Sequence, residues 1–247
     1  MDSTLNPKDS TLKARIRDIK QAEPNYGYRR VSAKLVGVNH KSVQRLIQEM
    51  GLPVRTKKQR KYRSYKGEQG KIAPNLLQRD FCASKPNEKW LTDITEFSVK
   101  DEKLYFSPIL DCFNNELIAY GLGLSRRPNG MLVQEMLLQA VEKLPRNANL
   151  ILHSDQGIHY QMPSYQRLLA KNRISQSMSR KGNCLDNAAM ESFLGRMKTE
   201  CFHGKSFTNI DVLEKVINDY VWYYNEERIQ LKLKGLNPIQ YRKQSFK

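Results

Sequence analysis

Residues 55–66 read Arg-Thr-Lys-Lys-Gln-Arg-Lys-Tyr-Arg-Ser-Tyr-Lys, seven of twelve basic and none acidic. A run of like charges repels itself and carries too little apolar surface to enter a core. It therefore divides the chain into two parts, each of which must bury its own apolar residues. The run reads as an extended linker suited to lie along phosphates, with Tyr62 and Tyr65 able to stack on unpaired bases. A merely solvated linker is the plainer alternative. The charge is divided in the same way: residues 1–89 hold 21 Lys and Arg against 8 Asp and Glu, whereas residues 90–247 hold 21 against 17. A lopsided basic excess points to a polyanion, most often nucleic acid.

The first part reads as three short helices. Leu12, Ile16 and Ile19 form one stripe over residues 10–22, with Ser10 or Thr11 as the expected cap. Pro24-Asn25-Tyr26-Gly27 breaks that helix. A second helix fits residues 28–36, with Val31 and Leu35 facing inward. A third fits residues 40–50, capped by Asn39 and stopped by Gly51. A tight turn between the last two resembles a helix-turn-helix DNA-binding unit. Arg29, Arg30, Lys41 and Arg45 are its candidate DNA contacts, joined in the linker by Arg55, Lys57, Lys58, Arg60, Lys61 and Arg63.

After Glu88 the pattern changes. Residues 90–97 alternate and are rich in β-branched and aromatic side chains, which predicts a strand. Residues 104–113 and 117–124 predict two more, forming an antiparallel meander. A helix over 130–144, a buried strand over 149–155, a helix over 163–172 and a strand over 174–178 follow. Helices over 188–201 and 210–225 close the series. The predicted fold class is α/β: a mixed five-stranded sheet with flanking helices, the element order of the ribonuclease-H-like fold.

Three acids stand where such a fold delivers side chains to one point. Asp93 lies among strand residues that otherwise want burial, so it needs a cation or base as partner. Asp155 sits where a buried strand meets a Gly-containing loop, the position at which α/β proteins place chemistry. Glu191 opens the helix after the Cys184–Asn187 turn. Two aspartates and a glutamate form an all-oxygen site suited to Mg²⁺, with Mn²⁺ as a substitute. Two such ions could hold a scissile phosphate between them. Lys198, two helical turns beyond Glu191, shares its face and is placed to touch a DNA phosphate. Arg180, Lys181 and Arg196 surround the same site.

Several motifs in fixed order carry a resemblance. Trp90-Leu91-Thr92-Asp93-Ile94-Thr95, His153-Ser154-Asp155-Gln156-Gly157, Ser177 to Cys184 and Asp186 to Phe193 resemble the catalytic core of bacterial insertion-sequence transposases. The group is the retroviral-integrase-like one whose transposase is encoded in two overlapping frames. Tyr223-Tyr224-Asn225-Glu226-Glu227-Arg228 and Leu236-Asn237-Pro238 resemble its C-terminal signature, and Tyr26 to Arg30 with Asn39 to Lys41 its N-terminal helical segment. The resemblance spans about residues 8–243. It implies that Asp93, Asp155 and Glu191 are the catalytic, metal-holding triad and that Lys198 is the downstream basic residue. It further implies strand cleavage at an element's end, then attack by the freed 3′-hydroxyl on DNA. The expected organisation is a helix-turn-helix-like DNA-binding unit over 1–53, a basic linker over 54–86, and an integrase catalytic core with a helical extension over 87–247.

The pattern departs from the family in two places. Residues 35–39 are shorter by about two residues than the family pattern, which leaves the helical unit incomplete by expectation. The chain also reads as the downstream-frame product alone, with an upstream-frame segment as its partner or fusion. The expected assembly is a homo-oligomer on double-stranded DNA in the bacterial cytoplasm, associated with the nucleoid. A DNA-binding regulator that does not cut, and a general ribonuclease-H-like nuclease, remain alternative readings at this stage.

Other candidates have plainer explanations. Asp111 fits a turn cap, Glu96 should face away from Asp93, and Asp186 fits a helix cap. His153 and His159 read as structural or phosphate-contacting groups. His40, Cys184, Cys201 and His203 lack zinc-ligand spacing. Trp222-Tyr223-Tyr224 reads as core. Four scattered cysteines form no disulfide framework. No apolar run approaches the roughly 18 residues of a membrane span, and residues 1–8 contain no apolar signal segment.

Overall fold

A computed structural model describes residues 7–54, 71–124, 130–146 and 148–245. The chain forms two compact units: residues 1–60 with 228–237, and residues 61–227 with 238–247.

In the first unit, α1 (Pro7–Ala22), α2 (Tyr28–Lys34) and α3 (His40–Glu49) enclose Ile16, Tyr26, Val31, Leu35, Val43, Leu46 and Ile47. The first helix starts at Pro7, so Ser10 and Thr11 lie inside it rather than cap it. A proline in the first turn loses no helical hydrogen bond, which permits the earlier start. Asn39 caps α3 as expected, its Oδ1 accepting the Lys41 N–H at 2.9 Å. The shortened 35–39 stretch does not open the unit. Gly37 takes φ +79°, and the Val38 N–H donates to the Leu35 carbonyl. Residues 228–237 return to this unit, where the Ile229 N–H donates to the buried Tyr26 hydroxyl at 3.1 Å.

The second unit is built on one mixed sheet. Its strands are β1 (Lys89–Thr92), β2 (Thr95–Val99), β3 (Glu102–Asp111), β4 (Leu117–Leu124), β5 (Ile151–Ser154) and β6 (Ser175–Met178). β3 runs antiparallel to β1, β2 and β4, while β1, β5 and β6 are mutually parallel. β1 and β2 both pair with the edge of β3 opposite β4, so the six strands fill five positions. The predicted strand over 90–97 is therefore interrupted at Asp93-Ile94. The cause is local: Asp93 Oδ1 accepts the Ile94 N–H at 2.7 Å and takes that donor from the ladder.

Helices cover both faces. α4 (Gly130–Glu142), the single-turn α5 (Ile158–Gln161) and α6 (Pro163–Lys171) pack on Trp90, Ile109, Ala119 and Leu152. Gly121 of β4 lets α4 approach closely, because a Cβ there would meet the Leu132 side chain at 2.7 Å. The other face carries α7 (Ala188–Met197) and α8 (Ile210–Glu226), packed on Leu91, Phe97, Leu104 and Phe106. α9 (Pro238–Gln244) follows the returning segment. The predicted helix over 188–201 continues past α7 as a wider π turn over Lys198–Phe202. The aromatic cluster of α8 splits by helical rotation: Tyr224 is buried, Tyr223 is half-buried and Trp222, expected in the core, is 58% exposed.

Candidate active site

The sheet register brings the two aspartates side by side. β1 and β5 pair in parallel with Trp90 opposite Leu152 and Leu91 opposite His153. Asp93 and Asp155 each lie two residues beyond that last pair, on strands whose neighbours sit about 4.8 Å apart. Backbone amides fix both carboxylates: Ile94 donates to Asp93, and the Gly157 N–H donates to Asp155 Oδ1 at 2.8 Å. Gly157 is needed at that turn, since a Cβ there would stand 2.9 Å from Asp155 Oδ1.

Glu191 comes from the first turn of α7. A short 3₁₀ turn over Cys184–Asn187 leads into that helix, and Asn187 Nδ2 donates to the Thr92 carbonyl at 3.2 Å. Thr92 immediately precedes Asp93, so the amide ties the glutamate helix to the aspartate strand.

The three carboxyl groups share one electrostatic environment. Burial, then Asp155, then Glu191 push the Asp93 carboxyl up to about 8, against the Ile94 N–H and Lys198. Burial raises Asp155, opposed by the Gly157 N–H and His159. Burial and Asp155 raise Glu191. Half-buried acids held close together resist ionising together. The donor set is carboxylate oxygen throughout, which fits a hard divalent cation. Among the described residues, no three His, Cys, Asp or Glu side chains stand close enough to hold one metal ion as they lie.

Three of the four basic residues expected around the site are engaged by protein groups. Lys198 Nζ donates to the Glu96 carbonyl at 2.7 Å and lies 5.1 Å from the Phe97 ring centroid. Arg196 donates to Ser192 Oγ, and Lys181 is exposed. Asp186, expected to cap a helix, is instead fully buried and accepts from Arg180 and Arg79. Charge-assisted bonds from two guanidiniums outweigh a single cap to a helix N–H for a buried carboxylate. Arg180 before all else holds the Asp186 carboxyl well below the usual carboxylate range.

In the first unit, Arg29 Nε donates to the Tyr28 hydroxyl, and Arg30 donates to the Asn25 carbonyl with its guanidinium 4.4 Å from the Tyr26 ring centroid. Arg45 pairs with Asp9 and Glu49, and Lys41 is exposed at the start of α3. Arg55, Lys57, Lys58, Arg60, Lys61 and Arg63 lie outside the described residues.

Comparison with known proteins decides the family. The chain is 60% identical over 211 residues to a transposase-like protein of Haemophilus influenzae, covering 85% of this chain and 96% of that one. It is 51% identical over 244 residues to the protein named as transposase InsK of insertion sequence element IS150 in Escherichia coli K12, covering 97% and 85%. This chain belongs to the transposases of bacterial insertion sequences. Integrase core domain models match residues 83–184 and 191–246 of the transposase, and an HTH-like domain model matches residues 7–61. Its fold is shared with a chain of the simian T-cell lymphotropic virus intasome, solved by electron cryomicroscopy in complex with PP2A regulatory subunit B56 gamma. The TM-score is 0.52 at 15% identity, over 92% of this chain and 74% of that one. The ribonuclease-H-like class read from element order is thus the observed one, and DNA is the transposase's partner. None of the described helices is long and apolar enough to cross a membrane.

Sequence reading passed over several residues of this site. Asn187 reads as one more turn residue, although it stands inside a family motif. Arg79 is a lone arginine and carries no pattern at all. Tyr160 is fully buried, with its hydroxyl 3.5 Å from Thr92 Oγ1, and its pKa is raised by burial, Asp93 and Asp155. His153 takes the structural role among those expected for it. It is buried between Ser177 Oγ at 2.8 Å and Ser179 Oγ at 3.1 Å, and burial lowers its pKa to about 4. Asp111 holds its turn as expected, accepting from the Phe113 and Asn87 N–H groups.

Proposed function

We propose that this transposase cuts and joins DNA strands at a site formed by Asp93, Asp155 and Glu191. The register that sets Asp93 beside Asp155, with Glu191 tied to the same strand end through Asn187, carries this reading. The carboxylates would hold Mg²⁺, with Mn²⁺ as a substitute and two ions per site. Divalent cations there supply the charge that favours deprotonation of an attacking water or 3′-hydroxyl and that stabilises the leaving oxygen. The chain's own task is placement. Ile94 and Gly157 fix the two aspartates by backbone N–H groups, and Asn187 fixes the helix that bears Glu191. Phosphoryl transfer depends mainly on such positioning and on charge.

DNA contact is assigned to Arg180, Lys181, Arg196 and Lys198 near the site, and to Arg29, Arg30, Lys41 and Arg45 in the helical unit. The basic linker with Arg55, Lys57, Lys58, Arg60, Lys61 and Arg63 completes the grip. The protein acts as a homo-oligomer on element ends and target DNA, with an upstream-frame partner, in the bacterial cytoplasm at the nucleoid.

The test is cleavage of duplexes that carry the element's own ends, with Mg²⁺ or EDTA, by wild type and Asp155→Asn. Metal-dependent cutting should fall by about a thousandfold or more in the variant while DNA binding persists. Equal cutting by both proteins overturns the site assignment. Tight binding without cutting by wild type favours a regulator.

A further inference from the structure

Asp186 is the most heavily used acid near the site. Its buried carboxylate accepts Asn75 Nδ2 at 3.0 Å, Arg79 Nε at 2.9 Å, Arg180 N at 3.0 Å, and Arg180 Nε and Nη2 at 2.8 Å each. One negative charge thus gathers two positive ones, and the group keeps a net positive charge. Both guanidiniums reach solvent, Arg79 at 43% and Arg180 at 60% side-chain exposure. Arg79 Nη2 is further held by Asn183 Oδ1 at 3.1 Å. The Nη1 of each arginine has no hydrogen-bond partner among the described residues.

The backbone that presents Arg79 is unusual. Gln78 and Arg79 both take left-handed conformations, φ +48° and +69°, which cost energy in residues other than glycine. Asn75 holds this turn from both sides: its Oδ1 accepts the Gln78 N–H, and its Nδ2 donates to Asp186. The neighbouring acid, Asp80, is occupied by Lys89. Asp186 also lies in the turn that leads into α7, next to Asn187, so the arginine pair is anchored at the base of the Glu191 helix.

We infer that Arg79 and Arg180, aligned by the buried Asp186, form a preorganised clamp for a DNA phosphate beside the acidic site. A guanidinium fixed along one edge presents its remaining N–H groups in a set direction, which suits the planar recognition of a phosphodiester. Two such groups on one carboxylate lose little further freedom on binding. The clamp rests on the strand-transfer reading for its role, but its binding is measurable without chemistry.

The test is the salt dependence of duplex binding by the full chain in EDTA, between 50 and 200 mM salt, on an element-end duplex. Each phosphate contact contributes about 0.9 to the slope of log K against log salt. Arg79→Ala and Arg180→Ala should each flatten the slope, and the double variant by about 0.9 in all, the contribution of the one phosphate they share. Arg79→Lys should keep the slope. Should Arg79→Ala fail to fold, Arg79→Gln can still donate to Asp186 but lacks the charge and the outward Nη groups, so it should flatten the slope equally. Unchanged slopes in folded Arg79→Gln and Arg180→Ala reduce the pair to a structural staple and overturn the clamp. A wild type that binds but never cuts overturns the strand-transfer reading instead, and the slopes still judge the arginines.

Discussion

Asn187 Nδ2 donates to the Thr92 carbonyl at 3.2 Å, joining the turn that opens the Glu191 helix to the residue before Asp93. Asn187 is buried, and its Oδ1 has no hydrogen-bond partner among the described residues. The side chain therefore contributes one bond, placed between two of the three acids. Asn187→Ala should lower the cleavage rate about 10- to 100-fold, because an error near 1 Å in placement costs that much. The stability loss should stay near about 1 kcal/mol, the worth of one hydrogen bond. Single-turnover cleavage and thermal melting on the same preparations check both. A large melting loss with unchanged cleavage would remove Asn187 from the positioning role.

Gly157 offers a second handle on geometry. An added methyl would stand 2.9 Å from Asp155 Oδ1 and 3.4 Å from the Tyr160 ring, which is buried and fixed. The carboxylate is the easier group to displace, so Gly157→Ala should move Asp155 off its backbone N–H. Cleavage is expected to fall about tenfold or more, with duplex affinity unchanged in EDTA. Equal activity in the alanine variant would show that Asp155 tolerates displacement.

Asp186 should confer acid sensitivity on the fold. Its folded pKa lies below the ordinary carboxylate value, chiefly through Arg180. A depressed carboxyl contributes stability that is complete above the unfolded pKa, about 4, and is lost as pH falls below it. The wild-type melting temperature should therefore drop between pH 5 and pH 2 more steeply than that of Asp186→Asn. At pH 7 the variant should melt about 5 °C lower or more, since it loses the charge that holds two guanidiniums. Parallel melting curves for both proteins across that range would contradict this account.

Local pattern reveals the parts of the fold that local physics decides. Trp90 and Leu91 point to opposite faces because strand side chains alternate, and α8 buries Leu213, Ile217, Tyr220 and Tyr224 along one helical stripe. Asp93 could be picked out because an acid in an apolar strand needs a reason to be there, whereas the triad as a set came with the resemblance of its motifs. The interruption at Asp93 could not, since it depends on one side-chain bond to Ile94. The return of residues 228–237 was equally hidden, as it depends on Tyr26, some two hundred positions earlier. Asp186 reads as a cap from its neighbours, and its bonds to Asn75 and Arg79, 111 and 107 positions away, give no local sign. Long-range pairing of polar groups leaves no periodic trace.

Asp93 carries the last expectation, a trade of stability against activity. Its half-buried carboxyl is affected by Asp155 and Glu191, with the repulsion opposed by Lys198. Like charges gathered in a poorly solvated place destabilise the fold unless a cation joins them. Asp93→Asn removes this hard-to-ionise carboxyl and keeps the shape. In EDTA the variant should therefore melt a few degrees above wild type, in line with the general cost of assembling active sites. Adding Mg²⁺ or Mn²⁺ should raise the wild-type melting temperature by mass action and move the variant much less. Cleavage should be lost in the variant under every condition. Thermal melting over a metal titration, paired with cleavage assays, reads all three effects. A variant that melts below wild type in EDTA, or that gains as much from metal, would mean that Asp93 is held by its surroundings rather than strained by them.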